Sequence, residues 1–330
     1  MANGRIGYVD AMRGFTMILV VYAHVCHFCF GSSLMGFDNI FFLFRQPCFF
    51  FISGWLFEPV ARRPFWTVAR RKFMVQIVPT FVFLLLLAPP PQFFAELGAV
   101  KGGYWFTFVL FEFFIIYMLT LRLFGRWNIV AALAVGLGAY VYARYYNMLT
   151  VTGVLPSSVW HLLGFLSVVL WRYYIYFFLG TLVRRHFDTF IRFTNHPLVP
   201  LLLAACFLGV ASTSHTASLV HECLRFYLGG ILGMLMVFTL FRRYCPPRMP
   251  VLEYIGTRTL DVYLLHYFFL PRFLRCYSAQ LFAYDSTVLE FCVAMPIALL
   301  VLAVTLGASR IIRLSPFLGH FLFGVKYRNP

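Results

Sequence analysis

Gly7-Tyr8-Val9-Asp10-Ala11-Met12-Arg13-Gly14-Phe15-Thr16-Met17-Ile18-Leu19-Val20-Val21-Tyr22-Ala23-His24 opens the first long apolar run of the chain. Continued to about residue 30, it is long enough to cross a bilayer, which takes about 20 mostly apolar residues. Yet it holds Asp10, Arg13, His24 and, just beyond, His27. That polarity is wrong for the apolar core of a secretion signal. An ionisable side chain inside a span is costly and normally faces a bundle interior or a water-filled cavity. The stretch reads as a membrane helix with a polar task.

The rest of the sequence has the same texture. Of 330 residues, 62% are hydrophobic and 12% charged, where soluble domains have roughly 45–50% and 25%. That excludes a soluble enzyme, a disordered tail protein and a secreted disulfide scaffold. Ten apolar segments are expected to cross the membrane, at about 8–30, 37–57, 73–88, 104–124, 128–146, 158–183, 197–212, 219–241, 256–277 and 286–309. The segment 158–183 is interrupted by Arg172 and is expected to hold a re-entrant or interfacial turn. Pro89-Pro90-Pro91 ends the third segment, and Pro246, Pro247 and Pro250 mark a loop. With no repeat and no linker, the expectation is an all-α polytopic bundle forming a single domain over residues 1–330. The eight cysteines lack disulfide spacing and read as core residues.

The charge balance, 27 Lys and Arg against 11 Asp and Glu, would suggest nucleic acid in a soluble protein. Here the cations lie mostly between apolar runs. With the N-terminus in the cytoplasm, nineteen basic residues fall inside, including Arg62, Arg63, Arg70, Arg71 and Lys72. Only Lys101, Arg144, Arg272 and Arg275 fall outside. This is the positive-inside pattern; it puts both termini in the cytoplasm and makes nucleic acid an unneeded partner.

The intramembrane ionisable set is Asp10, Arg13, His24, His27, Arg45, Glu112, Arg172, Arg225, Asp261 and His266. Asp10 and Arg13 are three apart and share a helix face. Asp10 and Asp261 are the candidate ion-pair partners of Arg13. Arg13 and His24 are eleven apart, close to three turns, which aligns them on one stripe about 16 Å long. Such a stripe suits a long ligand with an anionic head at the arginine and a reactive end at the histidine. A buried histidine without chemistry has the same spacing. Counting about 1.5 Å per residue puts His24, Glu112 and His266 near the middle of the membrane. Acid–base catalysis and a transporter's proton relay both fit that picture. His24, Cys26, His27 and Cys29 do not converge on one helix face, and no metal is expected.

Five stretches carry a resemblance. Asp10-Ala11-Met12-Arg13-Gly14-Phe15, followed by His24, resembles the signature of the acyltransferase-3 family, membrane-bound O-acyltransferases of surface glycans and other acceptors. Phe49-Phe50-Phe51-Ile52-Ser53-Gly54-Trp55-Leu56-Phe57, Tyr104-Trp105-Phe106 and Tyr176-Phe177-Phe178-Leu179-Gly180 are similar to later family segments. The stretch from Glu253-Tyr254-Ile255-Gly256 to Asp261-Val262-Tyr263-Leu264-Leu265-His266 is similar to its late motif. The order is that of the family over essentially the whole length. One departure is Gln76, ahead of Pro79, where members often carry arginine. A stand-alone membrane module, without the appended hydrolase-like domain of some larger relatives, is expected.

The resemblance implies transfer of an acyl group, most simply acetyl, from cytoplasmic acyl-CoA to a hydroxyl of a glycan or lipid-linked sugar. It implies an integral protein of a bacterial inner membrane, embedded among membrane lipids, with acetyl-CoA as donor substrate rather than resident cofactor. His24 is then the candidate general base; a covalent acyl-histidine stays open. Arg13, with Arg70, Arg71 and Lys72, is the candidate for the donor's phosphates. Glu112, His266, Tyr263 and Trp105 are candidates for orienting the acceptor or His24, with Tyr263, Tyr104 and Trp105 as candidate oxyanion donors. The alternatives are a proton-coupled transporter of glycans or lipids, disfavoured by the missing inverted repeat, and a catalytically silent relative acting as a membrane partner.

Overall fold

The computed structural model describes residues 6–32, 35–88, 101–152 and 157–324. It is 85% helical, and the described residues contain no strand. Five helical segments are long and apolar enough to cross a membrane: Gly7–Cys29, Asp38–Ala61, Trp105–Tyr146, Leu219–Arg243 and Thr287–Ile312. Phe187–Thr194 and Val199–Ala211, bent by 85°, make a sixth if taken as one broken span. The third of the five runs for 42 residues but is divided at Gly125, whose φ of +51° turns the chain between Trp105–Phe124 and Asn128–Thr152. At 1.5 Å per residue each of those helices is about 30 Å or longer, enough for one crossing.

Two of the ten expected segments are broken helices. Segment 158–183 consists of Ser157–Phe165, a 3₁₀ stretch Val168–Tyr173 and Tyr174–Arg185, with Ser167 left-handed at the first break. Segment 256–277 consists of the end of Pro250–Thr257, then Thr259–Leu265, and 3₁₀ turns at His266–Phe268 and Arg272–Tyr277. Pro271, without an N–H, prevents an α-helical continuation there. Non-helical backbone at membrane depth is tolerated where protein surrounds it, and six of the seven residues of Thr259–Leu265 are buried. Segment 73–88 opens with a π-helical turn, Phe73–Ile77, before Val78–Leu87; Pro79 offers no N–H to the preceding turn. Its terminating Pro89, Pro90 and Pro91 lie outside the described residues.

The chain forms two compact units, Met1–Phe49 with Thr189–Ser315, and Phe50–Asp188 with Pro316–Pro330. The helix Asp38–Ala61 runs from the first into the second. Each unit is closed by a pair of glycines. In the first, a Cβ on Gly14 would lie 2.0 Å from the Leu252 carbonyl oxygen and one on Gly256 would lie 1.8 Å from that of Asp10. In the second, Gly54 and Gly180 stand in the same relation to the Phe177 and Phe51 carbonyls, each at 1.9 Å. Without a hydrophobic drive between helices in lipid, such backbone-to-backbone packing is what holds them. Around the second pair lies an aromatic core of Phe50, Phe57, Phe113, Phe114, Tyr117 and Phe177. Outward-facing apolar side chains such as Leu86, Leu201 and Leu300 are more than half exposed, as bilayer contact requires.

Candidate active site

The site grows from the Gly14–Gly256 crossing. It lets Gly7–His24 lie directly on Pro250–Thr257, so residues to one side of the crossing on the two helices face one another. Arg13 donates to Thr259 Oγ1 at 2.7 Å and lies 3.6 Å from Asp10, its neighbour one turn earlier. Its side chain remains 29% exposed, so it is reachable by a ligand.

Three turns further along, His24 meets His266. The His24 Nδ1 to His266 Nε2 distance is 2.6 Å, the ring planes differ by 7°, and the centroids are 4.8 Å apart. The rings therefore meet edge to edge in nearly one plane. The protons can be assigned from the far end. His266 Nδ1 lies 2.8 Å from the Val262 carbonyl oxygen, which only accepts. Nδ1 therefore carries the His266 proton, and in the neutral ring Nε2 is the acceptor. His24 must donate to it through Nδ1–H. That leaves the lone pair on His24 Nε2, the nitrogen that faces away from His266. This is the base–orienter arrangement of a hydrolase triad, with a neutral imidazole and a peptide carbonyl in place of a carboxylate.

His266 is completely buried, whereas His24 is half-buried. His24 also ends its α-helix; Val25–Cys29 is π-helical, a widening often found at functional sites. The Tyr267 hydroxyl lies 3.4 Å from His24 Nε2, and its ring is 5.0 Å from the imidazole. Tyr263 packs beside His266, with ring centroids 6.3 Å apart. Phe28 lies 5.8 Å from His24, with the Arg272 guanidinium 5.6 Å above it.

Asp261, the other candidate partner of Arg13, is bound by Arg313. Its two oxygens accept from Arg313 Nε and Nη2 at 2.6 and 2.7 Å, and one also accepts from Ser309. This fork ties the helix bearing His266 to the end of Thr287–Ile312. Asp38 and Arg45 form a buried pair two turns apart in one helix. In the second unit Glu112 accepts from the Trp171 indole at 2.7 Å, and Trp105 lies beside Tyr173 and Phe50. Lys72 sits 4.1 Å above the Phe114 ring and 5.4 Å from that of Phe57, while Arg70 and Arg71 are exposed.

Sequence reasoning missed Thr259, Tyr267 and Arg313. Arg313 reads as an ordinary inner-loop cation. Tyr267 is next to His266, and on a continuous α-helix it would point about 100° away. The 3₁₀ turn at His266 steps it by about 120°, and its ring reaches His24 by packing on that of His266, with centroids 4.1 Å apart.

Fold and site together define a helical integral membrane protein with a hydrogen-bonded pair of histidines. The family model described as an acyltransferase domain, that of the acyltransferase-3 family, matches residues 6–307. The chain belongs to this family and is a membrane acyltransferase. The match runs through both compact units. No curated protein and no solved structure matches the chain.

Proposed function

We propose that the protein is an O-acyltransferase of a bacterial inner membrane, moving an acetyl group from cytoplasmic acetyl-CoA to a hydroxyl of a glycan or lipid-linked sugar. In this reading residues 1–330 work as one domain with ten crossings and both termini in the cytoplasm. The basic residues between the apolar segments support that topology. The observation that carries the reading is the directed chain from the Val262 carbonyl through His266 to His24, which leaves Nε2 as a base.

The acceptor hydroxyl gives its proton to His24 Nε2 as its oxygen bonds to the thioester carbon. The tetrahedral intermediate collapses, the carbon–sulfur bond breaks, and the leaving sulfur takes the proton back from Nε2. Throughout, His24 Nδ1–H stays on His266, so the ring cannot turn and its transient positive charge is shared with a neutral partner. Tyr267, whose hydroxyl is nearest to Nε2, orients the incoming hydroxyl. Arg13, reachable beside Thr259, holds an anionic part of the donor. For Arg70, Arg71 and Lys72 the positive-inside requirement and the ring contacts of Lys72 are a sufficient account.

The test is purified protein incubated with labelled acetyl-CoA and a membrane glycan extract. Label in a base-labile ester, lost in His24→Gln with donor binding retained, is the expected result. General-base removal typically costs about 10²–10⁴ in rate. Near-normal turnover in folded His24→Gln would defeat the mechanism, and unmodified glycan crossing the membrane would favour transport instead.

A further inference from the structure

Within the second unit, three helix C-termini end together: Asp38–Ala61, Trp105–Phe124 and Tyr174–Arg185. Between them is an open cleft of about 480 Å³ lined by Ala61, Leu121, Gly125 and four arginines, Arg62, Arg122, Arg126 and Arg185. Cations at helix C-termini have an ordinary purpose, since they offset the carbonyl ends. Two of the four are held by partners within the protein, one of them in this way. Arg122 donates to the Met118 and Arg63 carbonyls at 3.2 and 2.9 Å. Arg185 donates to the Tyr117 hydroxyl at 2.9 Å and lies 3.5 Å from Glu58.

Arg62 and Arg126 are different. Among the described residues no hydrogen bond or ion pair holds either head, and Arg126 rests on the Trp127 ring at 5.5 Å. Glu58 is the one carboxylate paired with the four guanidinium groups among the described residues. The mouth is open as well: a Cβ on Gly125 would meet nothing within 4 Å. Directly beside the arginines, Leu123, Phe124 and Trp127 are 74%, 51% and 61% exposed. Arginines with a bare tryptophan and aliphatic side chains at their flank are the pattern of a membrane–water interface.

We propose that this cleft is a binding site for the headgroup of an anionic phospholipid, with Arg62 and Arg126 taking phosphate and the exposed apolar flank meeting acyl chains. Basic pockets between membrane helices on the cytoplasmic side bind such headgroups. Four cations and a volume well above that of one phosphate favour a headgroup with two phosphates. The same phosphate chemistry is present in coenzyme A, and the test separates the two sources.

The full-length protein in phosphatidylcholine nanodiscs would be titrated with diphosphatidylglycerol, with phosphatidylglycerol and with coenzyme A. Diphosphatidylglycerol should bind more tightly than phosphatidylglycerol. Arg62→Gln and Arg126→Gln should each weaken it about fivefold and the double variant about thirtyfold, as expected for one interfacial cation each. Arg248→Gln, an exposed cation of another loop, should change it less than twofold. Both arginines are exposed, so folding should survive; Arg62→Lys with Arg126→Lys, which keeps the charge, should retain most of the affinity. Wild-type lipid affinity in the double Gln variant overturns the proposal. So does an equal loss in Arg248→Gln, which would mean unspecific surface charge. So does displacement of the lipid by coenzyme A with loss of coenzyme A binding in the double variant, which would give the cleft to the donor.

Discussion

Replacing His266 tests the acid–base pair without touching the base. In the resting pair the His24 Nδ1–H bond joins two neutral rings and is worth about 1 kcal/mol; once His24 holds the extra proton, the bond is charge-assisted and worth about 1.5–3 kcal/mol. Only the difference, about 0.5–2 kcal/mol, lowers the barrier, because ground-state and transition-state binding cancel otherwise. Without an acceptor at 2.6 Å, the ring is also free to carry its proton on Nε2. A tenfold loss of the productive tautomer adds about 1.4 kcal/mol. Together these give a fall in kcat on the order of 10²-fold for His266→Ala, with the donor KM little changed. His266→Gln, which presents an acceptor oxygen to Nδ1, should recover part of it. The assay is steady-state acetyl transfer, run beside thermal unfolding because a fully buried ring is being removed. A folded His266→Ala protein with wild-type kcat would refute the reasoning, as would a loss confined to KM.

Gly14→Ala and Gly256→Ala place a methyl within 2.0 Å of backbone oxygen; overpacking of this kind costs about 1–3 kcal/mol or more. Both should lower the unfolding temperature and the rate together, whereas Gly307→Ala, with nothing within 4 Å of its Cβ, should do neither. Arg13→Ala should weaken acyl-CoA binding by the about 1.5–3 kcal/mol of a charged hydrogen bond; unchanged donor affinity in folded protein would make Arg13 a strut between two helices. Cysteines introduced in the 89–103 region should react with an impermeant reagent added from outside, and those in 58–72 should not. The reverse labelling would invert the topology and the donor side with it.

Much of this was readable from residue spacing. Arg13 and His24 share a stripe because eleven residues are close to three turns, and a helix keeps that relation whatever surrounds it. The all-helical membrane architecture followed from composition. What spacing did not reveal depends on where helices stop being α. The π turn after His24, the left-handed Ser167 and the 3₁₀ turn at His266 each reset the angular count. Such breaks are stabilised by tertiary partners, and a local pattern does not contain them. Partner choice was the other gap: Asp261 was read as a candidate partner of Arg13, and its fork is taken by Arg313, 52 residues on, with Arg258 3.6 Å away. Glu112, at a depth similar to the histidines by residue count, is instead tied to Trp171 within its own unit.

The chain of groups behind His24 ends on the Val262 carbonyl, which carries no formal charge and is part of the main chain. No side-chain substitution at position 262 removes it, and no change of pH ionises it. With one proton on each ring, as the proposed mechanism has it, the resting pair holds no net charge for the electric field across the membrane to act on. In the proposed turnover a single proton shifts by about 3 Å between acceptor oxygen, Nε2 and sulfur, roughly a tenth of the hydrocarbon thickness. A full crossing is worth about 2.3 kcal/mol per 100 mV, so this shift feels about 0.2 kcal/mol. The chemical step should accordingly run at nearly the same speed in an energised cell and in a depolarised vesicle.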